Sequence, residues 1–308
     1  MENNNDSLQK NGSDRFEMIL HQLSNLPLVK IDRATFLRKE LQQCCTAGQI
    51  EVAIAFSPSH VGVPMEKIDE IALKHINLET AKVSGISFVS GIPGGFAMAG
   101  TIPADFAQYA AHILRIAQKI SYLYGWQDIS QFDETTTSLL TLFVGIMFGV
   151  EGAARAVLKI SNTAAASAAK KIAAQSLTKG TIYPIVKKVS ALLGVKMTKQ
   201  TFAKGVSKAI PVLGGVVGGG LTLATFRPMA LRLQKEMKGF KQARSDFFTG
   251  QFHDADSMID LSVDDIRLVD TLEEEPETGG HGTAAQWKAK GEASAKKLWD
   301  NAKQLGKK

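Results

Sequence analysis

Three stretches of this chain carry no charged residue, and each holds small residues four positions apart: Val83 to Ala104, Thr135 to Val150 and Ala209 to Phe226. As helices they are about 33, 24 and 27 Å long at about 1.5 Å per residue. Gly91, Gly95 and Ala99 form one row, Gly145, Gly149 and Ala153 a second, and Gly214 with Gly218 and Gly215 with Gly219 a third. Glycine costs a helix interior up to about 1 kcal/mol relative to alanine, so such rows need a compensating gain, usually the close approach of two helix backbones. Spanning a bilayer takes about 20 apolar residues. Only the first stretch is that long, and Pro93, Gly94 and Pro103 interrupt it. The expectation is therefore helical hairpins that pack in a domain core or enter one leaflet, rather than independent transmembrane helices.

The rest of the chain has helical periodicity, giving an all-α reading. Apolar residues recur at helical spacing from Phe16 to Leu26 before Pro27, and again from Asp32 to Cys45, where Asp32 or Thr35 suits a cap. Glu51 to Phe56 is too short to decide between strand and helix. Pro64 opens a helix from Met65 to about Glu79, with Ile68, Ile71, Ala72 and His75 on one face. The cleanest helix runs from Pro103 to Tyr124, with Asp105 in its first turn and Gly125 where a left-handed cap belongs. Phe106, Tyr109, Ile113, Ala117, Ile120 and Tyr124 make its apolar stripe, and Gln108, His112, Arg115 and Lys119 a polar one read as a solvated basic face. A basic amphipathic helix from Phe226 to Phe248 completes the body.

Charge is segregated along the chain. No acidic residue occurs from Gly152 to Lys235, while Lys170, Lys171, Lys187, Lys188, Lys196, Lys199, Lys204 and Lys208 recur through that stretch. Ten acidic residues then face Arg267 alone between Gln251 and Glu277, and seven lysines follow from Thr278 to Lys308. A lysine block attracts polyanions, and each lysine at an anionic bilayer contributes about 1 kcal/mol. Tyr183 and Phe202 are the only aromatic residues between Gly152 and Lys208. Bases would find few stacking platforms there, so lipid is favoured over nucleic acid. A helical domain with lysine-rich solvent faces is the competing explanation.

The familiar catalytic constellations do not occur. The Gly-rich stretches lack the Lys-Ser/Thr of a phosphate loop, no HExxH or GxSxG exists, and the two cysteines, Cys44 and Cys45, are adjacent. An inert or buried thiol is expected there. No cofactor and no metal site is expected. The remaining enzymatic option is a hydrolase-type centre using Asp105 with His112 or Tyr124.

The run Gly94-Gly95-Phe96, Ile102-Pro103-Ala104-Asp105 and Tyr124-Gly125, followed by Ile210-Pro211-Val212-Leu213-Gly214-Gly215 and Gly218-Gly219-Gly220, resembles the EcsC protein family. The resemblance covers roughly Met65 to Lys241. It implies a bacterial, mostly helical protein from a family named for a component encoded beside an ABC transporter, without an established activity. By position the motif residues are Gly94, Gly95, Pro103, Asp105, Tyr124, Gly125, Pro211, Gly214, Gly215 and Gly219. The family often carries a polar residue after the second glycine run, whereas Leu221-Thr222-Leu223 stands here.

These readings give a disordered segment over 1–15, a helical domain over 16–250, an acidic linker over 251–283 and a basic amphipathic tail over 284–308. The first residues hold no signal or transit peptide, so a cytoplasmic protein is expected. Its expected role is accessory or membrane-modulating at the inner face of the membrane, peripheral or partly inserted. Anionic lipid is the expected partner, with a complex such as an ABC transporter as a further one. A membrane-inserting, pore-forming effector is the alternative that the glycine rows suggest.

Overall fold

Several helices begin where a side chain takes up amides that the first turn leaves unpaired. The computed structural model describes residues 2–26, 28–83, 104–163, 177–179, 182–198, 225–240 and 267–268. Helix α1 spans Glu2–Ser24, α2 Arg33–Leu41, α3 Ala47–Ala55, α4 Met65–Val83, α5 Ala104–Leu123 and α6 Glu134–Met147. Then come strand β1 (Val150–Glu151), α7 (Ala153–Thr163) and α8 (Tyr183–Thr198). A further helix, α9, occupies 225–240, and β2 is Arg267–Leu268. The described residues are thus overwhelmingly helical, as the all-α reading expects.

Asp32 caps α2 by accepting from the Thr35 amide at 2.7 Å, and Asp133 caps α6 by accepting from the Thr136 amide at 2.8 Å. Thr46 and Gln49 form a reciprocal capping box that starts α3 and decides the segment left open between strand and helix. Each such cap contributes about 1 kcal/mol. At the other end of α5, Gly125 takes φ 92°, its amide reaches the Tyr122 carbonyl, and the Trp126 amide reaches Ser121. That is the double bond of a Schellman motif, at the position where the sequence expects it.

Helix α6 lies at the centre. Every residue from Ser138 to Met147 is buried. Helices α7 and α8 both lie on it and touch each other, α5 meets it as well, and α1 packs along α8. Gly145 makes the α6–α8 contact possible: a Cβ there would stand 2.7 Å from Val189 Cγ1 and 3.3 Å from the Ala153 Cβ. The helical row of Gly145, Gly149 and Ala153 is not formed. Helix α6 ends at Met147, Gly149 turns with φ 71°, and Ala153 already opens α7. The α6 groove is thus filled by protein rather than open to lipid.

The first residues also differ from expectation. Helix α1 begins at Glu2 instead of near Phe16. Its Gly12 lies so close to Gly194 of α8 that a Cβ on Gly194 would overlap the Gly12 carbonyl, and one turn away Ser13 donates to Ser190 at 3.2 Å in a buried contact. The acidic segment is not wholly a linker either. Within it β2 pairs antiparallel with β1, in the register Val150↔Leu268 and Glu151↔Arg267.

No helix among the described residues is long and apolar enough to cross a membrane. Gly91, Gly94, Gly95, Ala99, Pro103, Pro211, Gly214, Gly215, Gly218 and Gly219 lie outside the described residues, as does the tail over 284–308.

Candidate functional site

Two charged arrangements stand out, one buried and one at the surface. The buried one lies where α4 meets α5. Glu79 has no exposed surface. Its Oε2 lies 2.5 Å from His112 Nδ1, its Oε1 accepts from Lys119 Nζ at 2.6 Å, and Arg115 Nε stands 3.6 Å from Oε1. Burial alone would raise the carboxyl. The His112 hydrogen bond and the charges of Lys119 and Arg115 outweigh it and hold Glu79 well below the usual carboxylate range. Burial also pulls the Lys119 ammonium down, against the opposing pull of Glu79. An ionised carboxylate so enclosed by cations is a poor proton acceptor. It serves to fasten α4 to α5.

These contacts correct the reading of α5. Its polar stripe is not a solvated basic face: Gln108, His112 and Lys119 are buried, and Arg115 is half-buried. A helix with 3.6 residues per turn can be covered on both sides, and only a partner carboxylate from another element makes such burial of cations tolerable. Glu79 was that partner, and sequence reasoning missed it. The signal was present in principle, since Glu79 extends the row of Ile68, Ala72 and His75 by helical steps.

A second cluster lies nearby on α2 and α4. Lys74 Nζ donates to Glu40 Oε2 at 3.0 Å, and His75 Nε2 stands 3.1 Å from Glu40 Oε1 without the alignment of a hydrogen bond. Burial pushes Glu40 up, but the neighbouring His75 and Lys74 prevail and bring it down to about 2. Burial lowers His75, whose ring packs edge-on against Phe36 at 5.0 Å. Buried Arg33 joins α2 to the ends of α3 and α5 by donating to the carbonyls of Ile54, Phe56 and Trp126.

The hydrolase option needs Asp105 to meet His112 or Tyr124. His112 is engaged by Glu79. Tyr124 donates to Asp69 Oδ1 at 2.5 Å and accepts from Gln234 of α9, while Lys238 reaches Asp69 Oδ2 at 2.6 Å. Burial and Asp69 both push the Tyr124 phenol up. Of Asp105, as of Lys196, only the helical backbone is described. Among the described residues no group of His, Cys, Asp and Glu could hold a metal ion. Cys44 is exposed rather than buried, and burial raises the Cys45 thiol to about 11.

The surface arrangement is made by α7 and α8. Both are free of acidic residues, and their outward positions include Arg155 and Lys159 on α7 and Lys187 and Lys188 on α8. The two helices both contact α6 and touch each other, so these cations belong to neighbouring helices. Lys187 donates to Glu17 of α1 at 2.6 Å and stands 5.7 Å from the Tyr183 ring centroid. A groove of about 340 Å³ runs beside it, with Glu17, Glu134, Thr137, Tyr183 and Lys187 among its walls. Lys170, Lys171, Lys199, Lys204 and Lys208 lie outside the described residues.

No protein-family model, no curated protein and no solved structure matches this chain.

Proposed function

We propose that this protein is a non-enzymatic, EcsC-like membrane-associated protein that attaches at the cytoplasmic face of a membrane by binding anionic lipid. The observation that carries the reading is the pair of adjacent acid-free helices α7 and α8, which carry Arg155, Lys159, Lys187 and Lys188 at exposed or half-buried positions. Cations grouped on neighbouring helices attract a surface of negative charge, at about 1 kcal/mol for each lysine close to an anionic bilayer. The scarcity of aromatic residues in this stretch favours lipid headgroups over stacked bases.

The role is accessory or membrane-modulating, and the resemblance to the EcsC family points to a membrane complex such as an ABC transporter as a further partner. Gly145 is sealed against Val189. Attachment through the described body therefore rests on charge more than on apolar insertion. Fractionation of cells that produce the chain tests this: a peripheral protein sediments with membranes at low salt and is released by high salt or carbonate. Recovery entirely in the supernatant at low salt would overturn the reading, and resistance to carbonate would favour the inserted, pore-forming alternative.

A further inference from the structure

The two cysteines of the chain are consecutive, and the fold holds their sulfurs together: Cys44 Sγ and Cys45 Sγ lie 3.8 Å apart, just after the end of α2. One carbonyl organises both residues. Leu41 accepts the Cys44 amide at 3.0 Å and the Cys45 amide at 2.9 Å, and the Cys44 thiol donates to it at 3.5 Å. On the other side Thr46 opens α3 with its capping box, so the dipeptide is held at both ends. Cys44 is exposed, while Cys45 is half-buried against the core. The dithiol is thus preformed and open to a small reagent on the Cys44 side, which removes much of the ordering cost of chelation.

The spacing selects what such a pair can take. A disulfide usually spans Cα atoms about 4.4–6.8 Å apart, whereas consecutive Cα atoms across a trans peptide stand about 3.8 Å apart, so joining Cys44 directly to Cys45 would distort this turn. A single bridging atom fits with little movement. Bonds to sulfur of about 2.3 Å meeting at roughly 100° bring two sulfurs to about 3.5 Å, close to the observed 3.8 Å. A linear two-coordinate ion with the same bonds would need about 4.6 Å. Zinc normally takes four ligands, and among the described residues no group of three or more His, Cys, Asp and Glu could hold a metal ion. What two thiols do complete is a pyramidal centre whose third position is filled by its own substituent.

We propose that Cys44 and Cys45 form a chelating dithiol site for a trivalent arsenical that carries one organic group. The site is independent of the membrane reading. In its hydrated form the ligand presents two arsenic–hydroxyl bonds. Each thiol sulfur forms a bond to arsenic, and each thiol proton leaves with one hydroxide as water; arsenic stays trivalent and nothing is oxidised. The net reaction consumes two thiols rather than thiolates, which suits Cys45, whose thiol burial and the neighbouring Cys44 hold up at about 11. The exposed Cys44 is reached first, and Cys45 then closes the ring. Because the second bond is intramolecular, the pair outbinds either thiol alone by on the order of a hundredfold.

Phenylarsine oxide is the probe. The fully reduced full-length parent, Cys44→Ser and Cys45→Ser are each treated with it and then challenged with increasing glutathione, a monothiol. Intact mass reads the adduct, and alkylation reads the free thiols. The parent should gain one phenylarsenic group and have both thiols protected from alkylation. Its adduct should survive glutathione yet be stripped by the dithiol 2,3-dimercaptopropanol, whereas each single variant should lose its adduct at glutathione concentrations about a hundredfold lower. Loss of the adduct from parent and variants at the same glutathione concentration overturns the chelate. So does alkylation of either cysteine in the treated parent, a result that needs no variant to fold.

Discussion

The Lys119 ammonium donates to Glu79 Oε1 at 2.6 Å across the α4–α5 contact, and neither side chain has more than a trace of exposure. The pair is stable because His112 and Arg115 share the same carboxylate. Removing the shared acceptor strands several cations in a medium that solvates them poorly. Glu79→Gln should therefore destabilise the fold by about 3–5 kcal/mol, read as a lowered urea midpoint with an unchanged slope. Arg115→Gln, at the half-buried edge of the cluster, should cost clearly less.

Acidification should unfold the body through the same groups. Glu79 and Glu40 both have depressed native values, so their stabilising contribution is present above the ordinary carboxylate value of 4.5 and is lost as pH falls through the native ones, about 2 for Glu40. His75, lowered by burial, resists protonation in the fold and adds to the same loss from about 6.5 downward. Urea denaturation at a series of pH values should show stability falling steadily below pH 6. In Glu79→Gln the fall below pH 4.5 should be shallower.

Glycine at the helix crossings predicts a graded cost. Gly145→Ala forces its methyl into Val189 and should cost about 1–3 kcal/mol. Val189→Ala should restore much of that loss in the double variant, because the clash is with a side chain. Gly194→Ala meets the Gly12 carbonyl, where no side chain can be trimmed, and should cost more than Gly145→Ala with no such rescue. Thermal denaturation of the single and double variants checks both.

The end of α5 gives a smaller effect. Gly125 has φ 92°, and a Cβ there would approach the Ser57 Cβ to 2.9 Å. Gly125→Ala should cost about 1–2 kcal/mol from the left-handed backbone alone. Ser57→Gly in the same chain should recover only the steric part.

Much of this arrangement was legible in the sequence, for reasons that are local. Asp32, Pro64, Gly125 and the apolar spacing of α4 and α5 act within a few residues of themselves, so their signatures survive without tertiary information. Thr46 and Gln49 are equally local: their capping box marks the start of α3, whereas the apolar run from Glu51 to Phe56 alone does not distinguish helix from strand. What was not legible depends on partners distant in sequence. The α5 stripe of Gln108, His112 and Lys119 reads as solvated until Glu79, on another helix, is placed against it. The polar composition of the first residues hides α1, whose place is fixed by Gly12 against Gly194 and Ser13 against Ser190. Glycine spacing correctly signalled close helix approach at Gly145, but it could not say that the neighbour would be Val189 rather than lipid. Nor does composition reveal that two residues of the acidic segment pair with Val150 and Glu151.

The proposed lipid contact through the cations of α7 and α8 is most directly tested by vesicle binding as a function of salt. The parent chain should bind phosphatidylcholine vesicles containing phosphatidylglycerol at low ionic strength, lose affinity steeply as salt rises, and ignore pure phosphatidylcholine. Lys159→Glu with Lys188→Glu should weaken that binding and flatten its salt dependence, while leaving the Glu17–Lys187 contact in place. Failure of the parent to bind anionic vesicles at low salt, or equal and salt-insensitive binding to both kinds of vesicle, would contradict the account.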